Sequence, residues 1–571
     1  MSSDRTFGRV RFAANHYAAA TIALVGSSIV GLAGCFTIAE GVPPPLDEFY
    51  YPTGVVVSPG RTTLYVVNSD FDLQYSGGTV QALDLVALRE KGRALRDALN
   101  EGASMQPPRA TADACAAQSP ALTANDNTTL YPGPCSPVAF GQYVKSVATI
   151  GAFASGATLA LTNPCEIVDK DKGLIRGRGA RLFVPVRGDP SVTYFDVTDD
   201  RDVSCGSPAM PLERTSPCGN PDDPAACLSC GAATNGERCS SSYLVGKDPS
   251  KNPRGLTLPV EPVGIDVDDR GESIVVAHQS DATVSLIVNR WDSTPMLAYY
   301  MTGLSIGPTD IASLPIPRII EENGIDYTPG FVVSYRAAPE FTLLRYEDDG
   351  GARPFLTRGA ASGVATTASA TDSRGVAVDG AARRACEDAC GEADRNACLR
   401  ACAETHPLGV YMANRAPAAL VIGRVETKFA EGAGPNGVEV TGAYELPSFH
   451  DSVPLAFGAS RIEIGHVVDT QGRLSRRVFA VTFDSRFVFS YDPEARRVDA
   501  IIRTGRGPHA IAFDSGEEMG SDGKMHPYAT MYVSHFTDSY VGVVDLDMNN
   551  RATFGSIYMT LGQPVPPKGS Q

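Results

Sequence analysis

Along residues 505–562 the chain alternates short apolar runs with turn residues. GRGPHAIAFD is followed by YATMYVSHF, then by SYVGVVDLD, then by SIYMTLGQP. Each run is long enough for a strand and too short for a helix spanning a domain. Gly507-Pro508 opens the unit, and Gly562-Gln563-Pro564 closes it. The same order recurs upstream with large interruptions: YPTGVVVSPGRTTLYVVNSD with GGTVQALDL at 51–85, and PVGIDVDDRGESIVVAHQSDATVSLIVN at 262–289. A period of about 40–50 residues with four strands per unit is the signature of a β-propeller. One four-stranded blade cannot bury both its faces alone, whereas blades stacked around an axis can.

The pattern predicts an all-β, seven-bladed propeller over 51–564, with strands A to D running outward in each blade. Blade one takes A at 54–58, B at 63–68, C at 79–85 and D at 144–150. Blade two takes A at 157–162, B at 181–186, C at 191–197 and D at 255–260. Blade three is 262–289 closed by 295–301, and blade four runs from Pro308 through GFVVSY and FTLLRY. Blade five has A at 374–378, B at 409–414 and C at 418–425. SRIEIGHVVD, RVFAVTF and RFVFSYD belong to blade six, and 505–562 is blade seven. Each blade is built of consecutive strands, so the ring is expected to close by packing alone. Three insertions interrupt the repeat: 86–143 and 198–254 between strands C and D, and 379–407 between A and B. The first contains LVALREKGRALRDALN, whose Leu85, Leu88, Leu95 and Leu99 share one helical face. Longer A–B loops are expected at 315–329, 465–476 and 514–527. A–B and C–D turns lie on one side of the disc, so one face is predicted to be elaborated and the other nearly bare.

Pro-x-Gly, an apolar strand, a Gly turn, "LYVxN" and "TVxxxDL" together resemble the YVTN-type repeats of seven-bladed, lactonase-like propellers. The resemblance implies the fold across most of 51–562. It does not transfer an activity, because propellers host many. No catalytic position of that family aligns residue by residue here.

The N-terminus carries an address. Arg5, Arg9 and Arg11 precede an apolar stretch at 18–33, then Leu32-Ala33-Gly34-Cys35. This looks like a bacterial lipobox: 1–34 as signal peptide, Cys35 as the lipidated residue, and 35–50, with three prolines at 43–45, as a tether. Two or three acyl chains hold stably to a bilayer where one does not. Phe36 is not the Asp that favours inner-membrane retention, so the expected location is the outer membrane, facing either side. Residues 565–571 form a short tail.

The chain has 571 residues, 13 cysteines and a formal net charge of −16. The negative charge argues against nucleic acid as a partner. Setting Cys35 aside leaves an even number of cysteines, which in an exported chain reads as disulfides. Cys386, Cys390, Cys398 and Cys402 fall on two short helices and predict nested bridges, 386–402 and 390–398; a metal site is the lesser alternative. Cys205, Cys218, Cys227, Cys230 and Cys239 crowd the second insertion, so one must pair outside it, with Cys115, Cys135 or Cys165. Cys227-Leu-Ser-Cys230 has no second C-x2-C and no following His, so it reads as structural rather than as zinc, redox or haem chemistry.

Candidate ligand residues end strand B of each blade: Asn68, Val186, His278, Tyr335, Asn414, Thr482 and His535. Next to them stand Ser69, Arg187, Gln279, Arg336, Arg415, Phe483 and Phe536. Two His and three Arg in equivalent positions on the bare face could make a site for an anionic or carbonyl ligand. The plainer reading is hairpin hydrogen bonding. Asp266-Val-Asp268-Asp269-Arg270-Gly271 lacks the later ligands of a calcium loop and reads as a strand end. No catalytic or dinucleotide fingerprint occurs and no cofactor or metal is implied. The expectation is a non-catalytic binding or scaffold module with a cell-envelope protein partner on the elaborated face. The alternative is a secreted lactonase-like or other hydrolase using a polar axial site. Three or more acidic or His side chains in an axial pocket would favour the hydrolase.

Overall fold

The structure is a computed structural model. It describes residues 41–566 except 107–108, 119–121, 170–171, 207, 233–234, 324, 326–328, 348–352, 364–371, 435–436 and 520–522. The chain divides into two compact units at Val42/Pro43, and the second holds every element below. The signal-peptide and lipidation readings, Cys35 included, lie outside the described residues.

Seven antiparallel sheets follow one another along the chain, as the repeat predicts. The strand pattern shows why. In strand B of blade one, Thr63–Asn68, every residue is buried. Leu64 and Val66 pack toward blade seven, while Tyr65 and Val67 pack toward blade two. Side chains alternate across a strand, so a strand buried on both faces is apolar through its middle and reads as a near-continuous run. LYVV, SIVVAH and FVVSY are such runs. Each of the seven interfaces between neighbouring blades holds its own apolar cluster.

Most strand boundaries match the periodicity; four features differ. Strand D of blade two is Leu244–Val245, not 255–260. The GLTLPV run instead passes as loop, its Leu258 filling the interface with blade three. The second insertion also lends the strand Asn235–Arg238 to the outer edge of blade one, parallel to Val144–Thr149. The expected loops at 465–476 and 514–527 are mostly strand: Ala459–Val468 pairs with Leu474–Thr482, and Pro508–Met519 with Met525–His535. Finally, the ring does not close by packing alone. Val138, from the first insertion, donates its amide to Thr560 O at 2.8 Å and accepts from Gly562 N–H at 3.0 Å. No strand is swapped; the insertion itself clasps the last blade.

The helix Leu85–Ser104 forms as its leucine spacing predicts. Asp84 caps it, accepting from the Ala87 amide, and Leu85, Leu88 and Leu95 are fully buried in the blade seven–blade one cluster. Strand order places 86–143, the second insertion, 162–179, 379–407 and the long hairpin Ala418–Gly434/Gly437–Pro454 on A–B or C–D connections, hence on one face. No described helix is long and apolar enough to cross a membrane.

Candidate functional site

The start of each inner strand builds the axial mouth on the bare face. In six blades the register slips beside the first strand residue: Pro52/Gly54, Pro262/Gly264, Pro308/Asp310, Ser373/Gly375, Ala459/Arg461 and Pro508/Ile511. Such a bulge leaves one residue unpaired and re-aims its side chain. The bulged residues Thr53, Val263, Thr309, Arg374, Ser460 and His509, with Ser155 of blade two, form an inner tier around a cavity of about 360 Å3. The Gly at the third position of strand A, where one occurs, has a related cause. A Cβ on Gly264 would sit 2.6 Å from the Asp310 Cα of the next blade, and one on Gly375 2.8 Å from the Arg461 Cα.

An outer tier comes from the residue after strand B. In all seven blades its amide donates to a carbonyl just before strand A: Ser69 to Tyr51, Arg187 to Phe153, Gln279 to Glu261, Arg336 to Gly307, Arg415 to Asp372, Phe483 to Gly458 and Phe536 to Gly507, at 2.6–3.1 Å. Six of these seven line the mouth; Arg336 lines the adjoining cavity with Arg187 and Glu261.

The two sets of candidate residues therefore separate. Those ending strand B are structural. His278 is fully buried, its Nε2 2.8 Å from Ser285 Oγ and its Nδ1 3.1 Å from Val260 O, and burial pushes its pKa down to about 4. His535 is also fully buried, stacked on Tyr540 with centroids 4.0 Å apart; its Nε2 accepts from Gly505 N–H, and burial takes it to about 3. Asn68 donates to Thr79 and Gln81, and Asn414 donates to Pro417 O. Neither histidine lines the mouth. Two of the three arginines, Arg187 and Arg415, do. Arg374, Arg461 and His509 join them there and were missed by the sequence reading; they open strand A in blades five, six and seven, where no Pro-x-Gly marks the place.

Each mouth arginine is held from behind by a carboxylate. Arg187 Nη2 lies 2.8 Å from Glu261, Arg374 Nε 2.5 Å from Asp372 and Arg461 Nη1 3.4 Å from Asp310; Arg415 pairs with Asp484. None of those carboxylates lines the mouth except through its arginine. Phe71, Phe153, Phe483 and Phe536 share the mouth with them; Phe71 meets Phe153 and Phe536 edge-on, centroids 5.6 and 5.1 Å apart. His509 Nδ1 sits 2.9 Å from Thr53 O, and burial with the nearby Arg461 charge pushes it to about 4.

Arg461 also borders a channel of about 510 Å3 on the elaborated side, walled mostly by apolar strand-A residues. Asp266, Asp310 and Glu463 face into it. The number of acidic groups meets the hydrolase criterion, but the arrangement is only partly that of a reactive site. Asp266 accepts from Ser313 N–H at 2.7 Å and Asp310 from Val376 N–H at 3.1 Å, so both tie their blade to the next. Burial, against the pull of Arg461, raises Glu463 to about 7. Among the described residues, these three do not bring oxygens close enough together to hold a metal ion. The calcium-like stretch is a turn: Asp268 accepts from the Glu272 and Ser273 amides.

On the opposite face the cysteines pair as Cys115–Cys135, Cys165–Cys205, Cys218–Cys227, Cys230–Cys239, Cys386–Cys402 and Cys390–Cys398. The nested pair forms as the spacing predicts, between Ala381–Asp388 and Arg395–Thr405. Cys205 finds its partner in Cys165, outside the cysteine-rich insertion. Cys227 and Cys230 belong to different bridges, which leaves no C-x2-C redox pair.

No known protein family and no curated protein matches this chain. Among solved structures it is similar to the periplasmic gluconolactonase of Pseudomonas aeruginosa, at 12% identity and TM-score 0.36 over 80% of this chain and 87% of that one. It is also similar to Kuenenia stuttgartiensis hydrazine synthase, at 11% identity and TM-score 0.38 over 88% and 97%. Likeness at this level carries nothing about activity or ligand, and the seven-bladed β-propeller rests on the sheet topology itself.

Proposed function

We propose that this protein is an exported, lipid-anchored β-propeller that binds a protein partner of the bacterial cell envelope through its insertion-bearing face, without catalysis. The observation that supports this reading is the placement of the disulfides: all six lie in insertions on one face, none in a blade strand. Ordering a loop costs about 1–2 kcal/mol per residue in backbone entropy, and each cross-link offsets about 2–4 kcal/mol of that. Loops ordered in advance lose less entropy on binding. The anchor part rests on the Leu32-Ala33-Gly34-Cys35 motif, and the outer membrane on Phe36.

Two experiments test it. Cys35→Ser should abolish labelling by radioactive palmitate and release the chain from the membrane fraction; a variant that stays labelled would end the anchor reading. Envelope cross-linking with the full chain should capture a partner that is lost when 382–404 is replaced by a short Gly linker. Unchanged capture after this deletion, and after similar deletions in the other two insertions, would end the partner reading.

One observation favours a second, hydrolytic reading. Glu463 stands in the axial channel with its carboxyl raised to about 7, near Arg461, which is where a general acid or base works best at neutral pH. If a hydrolytic activity is found, Glu463→Gln should abolish it; full activity in that variant would remove this reading.

A further inference from the structure

We infer that the axial mouth on the bare face is a binding site for a small organic anion with a flat apolar body, an aromatic carboxylate being the simplest member of the class. The site lies opposite the insertion face and stands or falls independently of the protein partner proposed there. Three observations carry it.

The first is the make-up of the wall. Arg187, Arg374, Arg415 and Arg461 come from blades two, five, five and six, and Phe71, Phe153, Phe483 and Phe536 from blades one, two, six and seven. The arginines offer guanidinium forks, which match the two oxygens of a carboxylate. The phenylalanines offer ring faces and edges, which pack against a planar apolar group. At about 360 Å3 the cavity falls at the small end of ligand pockets, which span roughly 300–1,000 Å3.

The second is an unused donor. Arg187 Nε is buried and has no acceptor. A buried unpaired donor is costly, so this guanidinium gains from any further acceptor that reaches it. The anchoring carboxylates hold the guanidinium groups in place beforehand, so an incoming anion orders little.

The third is backbone strain placed around the rim. The residue whose carbonyl takes the outer-tier amide adopts a left-handed conformation in six blades. In three it is glycine: Gly307, Gly458 and Gly507. In the others it is Tyr51, Phe153 and Glu261, at φ of 49°, 59° and 51°. Each is a strained conformation that glycine would adopt freely. All three serve the mouth. Phe153 lines it, Tyr51 packs on Phe536 with centroids 5.2 Å apart, and Glu261 anchors Arg187. Fold alone needs none of these side chains, since glycine fills the equivalent place elsewhere in the ring.

Calorimetry on the exported chain tests the inference with three probes: 2-naphthoate, its neutral amide 2-naphthamide, and acetate. The expected result is one saturable site for 2-naphthoate, with the amide and acetate each at least about tenfold weaker, the loss of one charge-assisted hydrogen bond or of the ring contact. Arg415→Gln and Phe71→Ala should each weaken 2-naphthoate about tenfold. Arg415→Lys, keeping charge and losing the fork, should fall between. Phe71 is half exposed, so its variant remains informative if an arginine variant fails to fold. No saturable binding of 2-naphthoate, equal binding of the amide, or unchanged affinity in Phe71→Ala would each overturn the inference.

Discussion

Arg89, on the helix inserted into blade one, forks onto Asp514, on the inner strand of blade seven: Nε lies 2.7 Å from Oδ2 and Nη2 3.2 Å from Oδ1. Asp514 is fully buried and also accepts from the Tyr528 hydroxyl at 2.8 Å. This pair bolts the first blade to the last. Arg89→Ala leaves a buried carboxylate with one partner and should cost about 3 kcal/mol. Urea denaturation at pH 7 measures it; a loss under about 1 kcal/mol would reduce the pair to a surface-type contact.

Gly264 predicts a second loss. A Cβ there meets Thr309 O at 2.5 Å and the Asp310 Cα at 2.6 Å, both backbone atoms that cannot swing aside. Gly264→Ala should destabilise by about 1–3 kcal/mol through overpacking. Gly391→Ala, with open space around its Cβ, should stay within about 0.5 kcal/mol of the parent. Paired thermal melts compare them.

Glu463 gives a pH signature. Its folded pKa, about 7, lies above the ordinary 4.5. The folded state therefore holds the proton more tightly than the unfolded one, and the stability this confers is complete below pH 4.5 and lost as pH rises through about 7. Glu463→Gln should melt close to the parent at pH 4 and progressively above it toward pH 7.5. Parallel melting curves across that range would show that the carboxyl is not raised. His278, His509 and His535, all pushed down, act in the opposite sense, so only the difference between variant and parent is diagnostic.

The nested bridges should stabilise the helical hairpin rather than the ring. Replacing Cys386 and Cys402 with Ser should cost that hairpin about 2–4 kcal/mol. Hydrogen exchange should then quicken across Ala381–Thr405 while Leu408–Arg415 stays protected, because local units open on their own. Equal loss of protection in both would mean that the hairpin and blade five unfold together.

The architecture was legible because strands B and C are buried on both faces and must be largely apolar, as in LYVV and IVVA. Strand D of blade two was not. Leu244–Val245 is too short to print a period, while GLTLPV is apolar only because Leu258 plugs the next interface. The mouth was half legible. A residue just after strand B is found by counting, which locates Arg187 and Arg415. Whether the strand's last side chain turns outward or inward depends on contacts with the neighbouring strand, His278 with Ser285 and His535 with Tyr540, which a period does not show; hence the expectation that both stand at the surface. Arg374 and His509 sit where a bulge breaks the strand's alternation, and a period of two cannot register a broken step.

The clasp between Val138 and blade seven also fixes when the molecule can be finished. Val138 belongs to the first quarter of the chain and its partners to the final strand, Ile557–Leu561. Until that strand has been made, Leu88 and Leu95 lack the Tyr558, Met559 and Leu561 side chains that cover them. A nascent or truncated chain that lacks this strand therefore carries an uncovered leucine stripe, and its maturation waits on Ile557–Leu561. Chains ending at residue 504 should bind an apolar dye strongly and be degraded quickly, whereas the full chain should do neither.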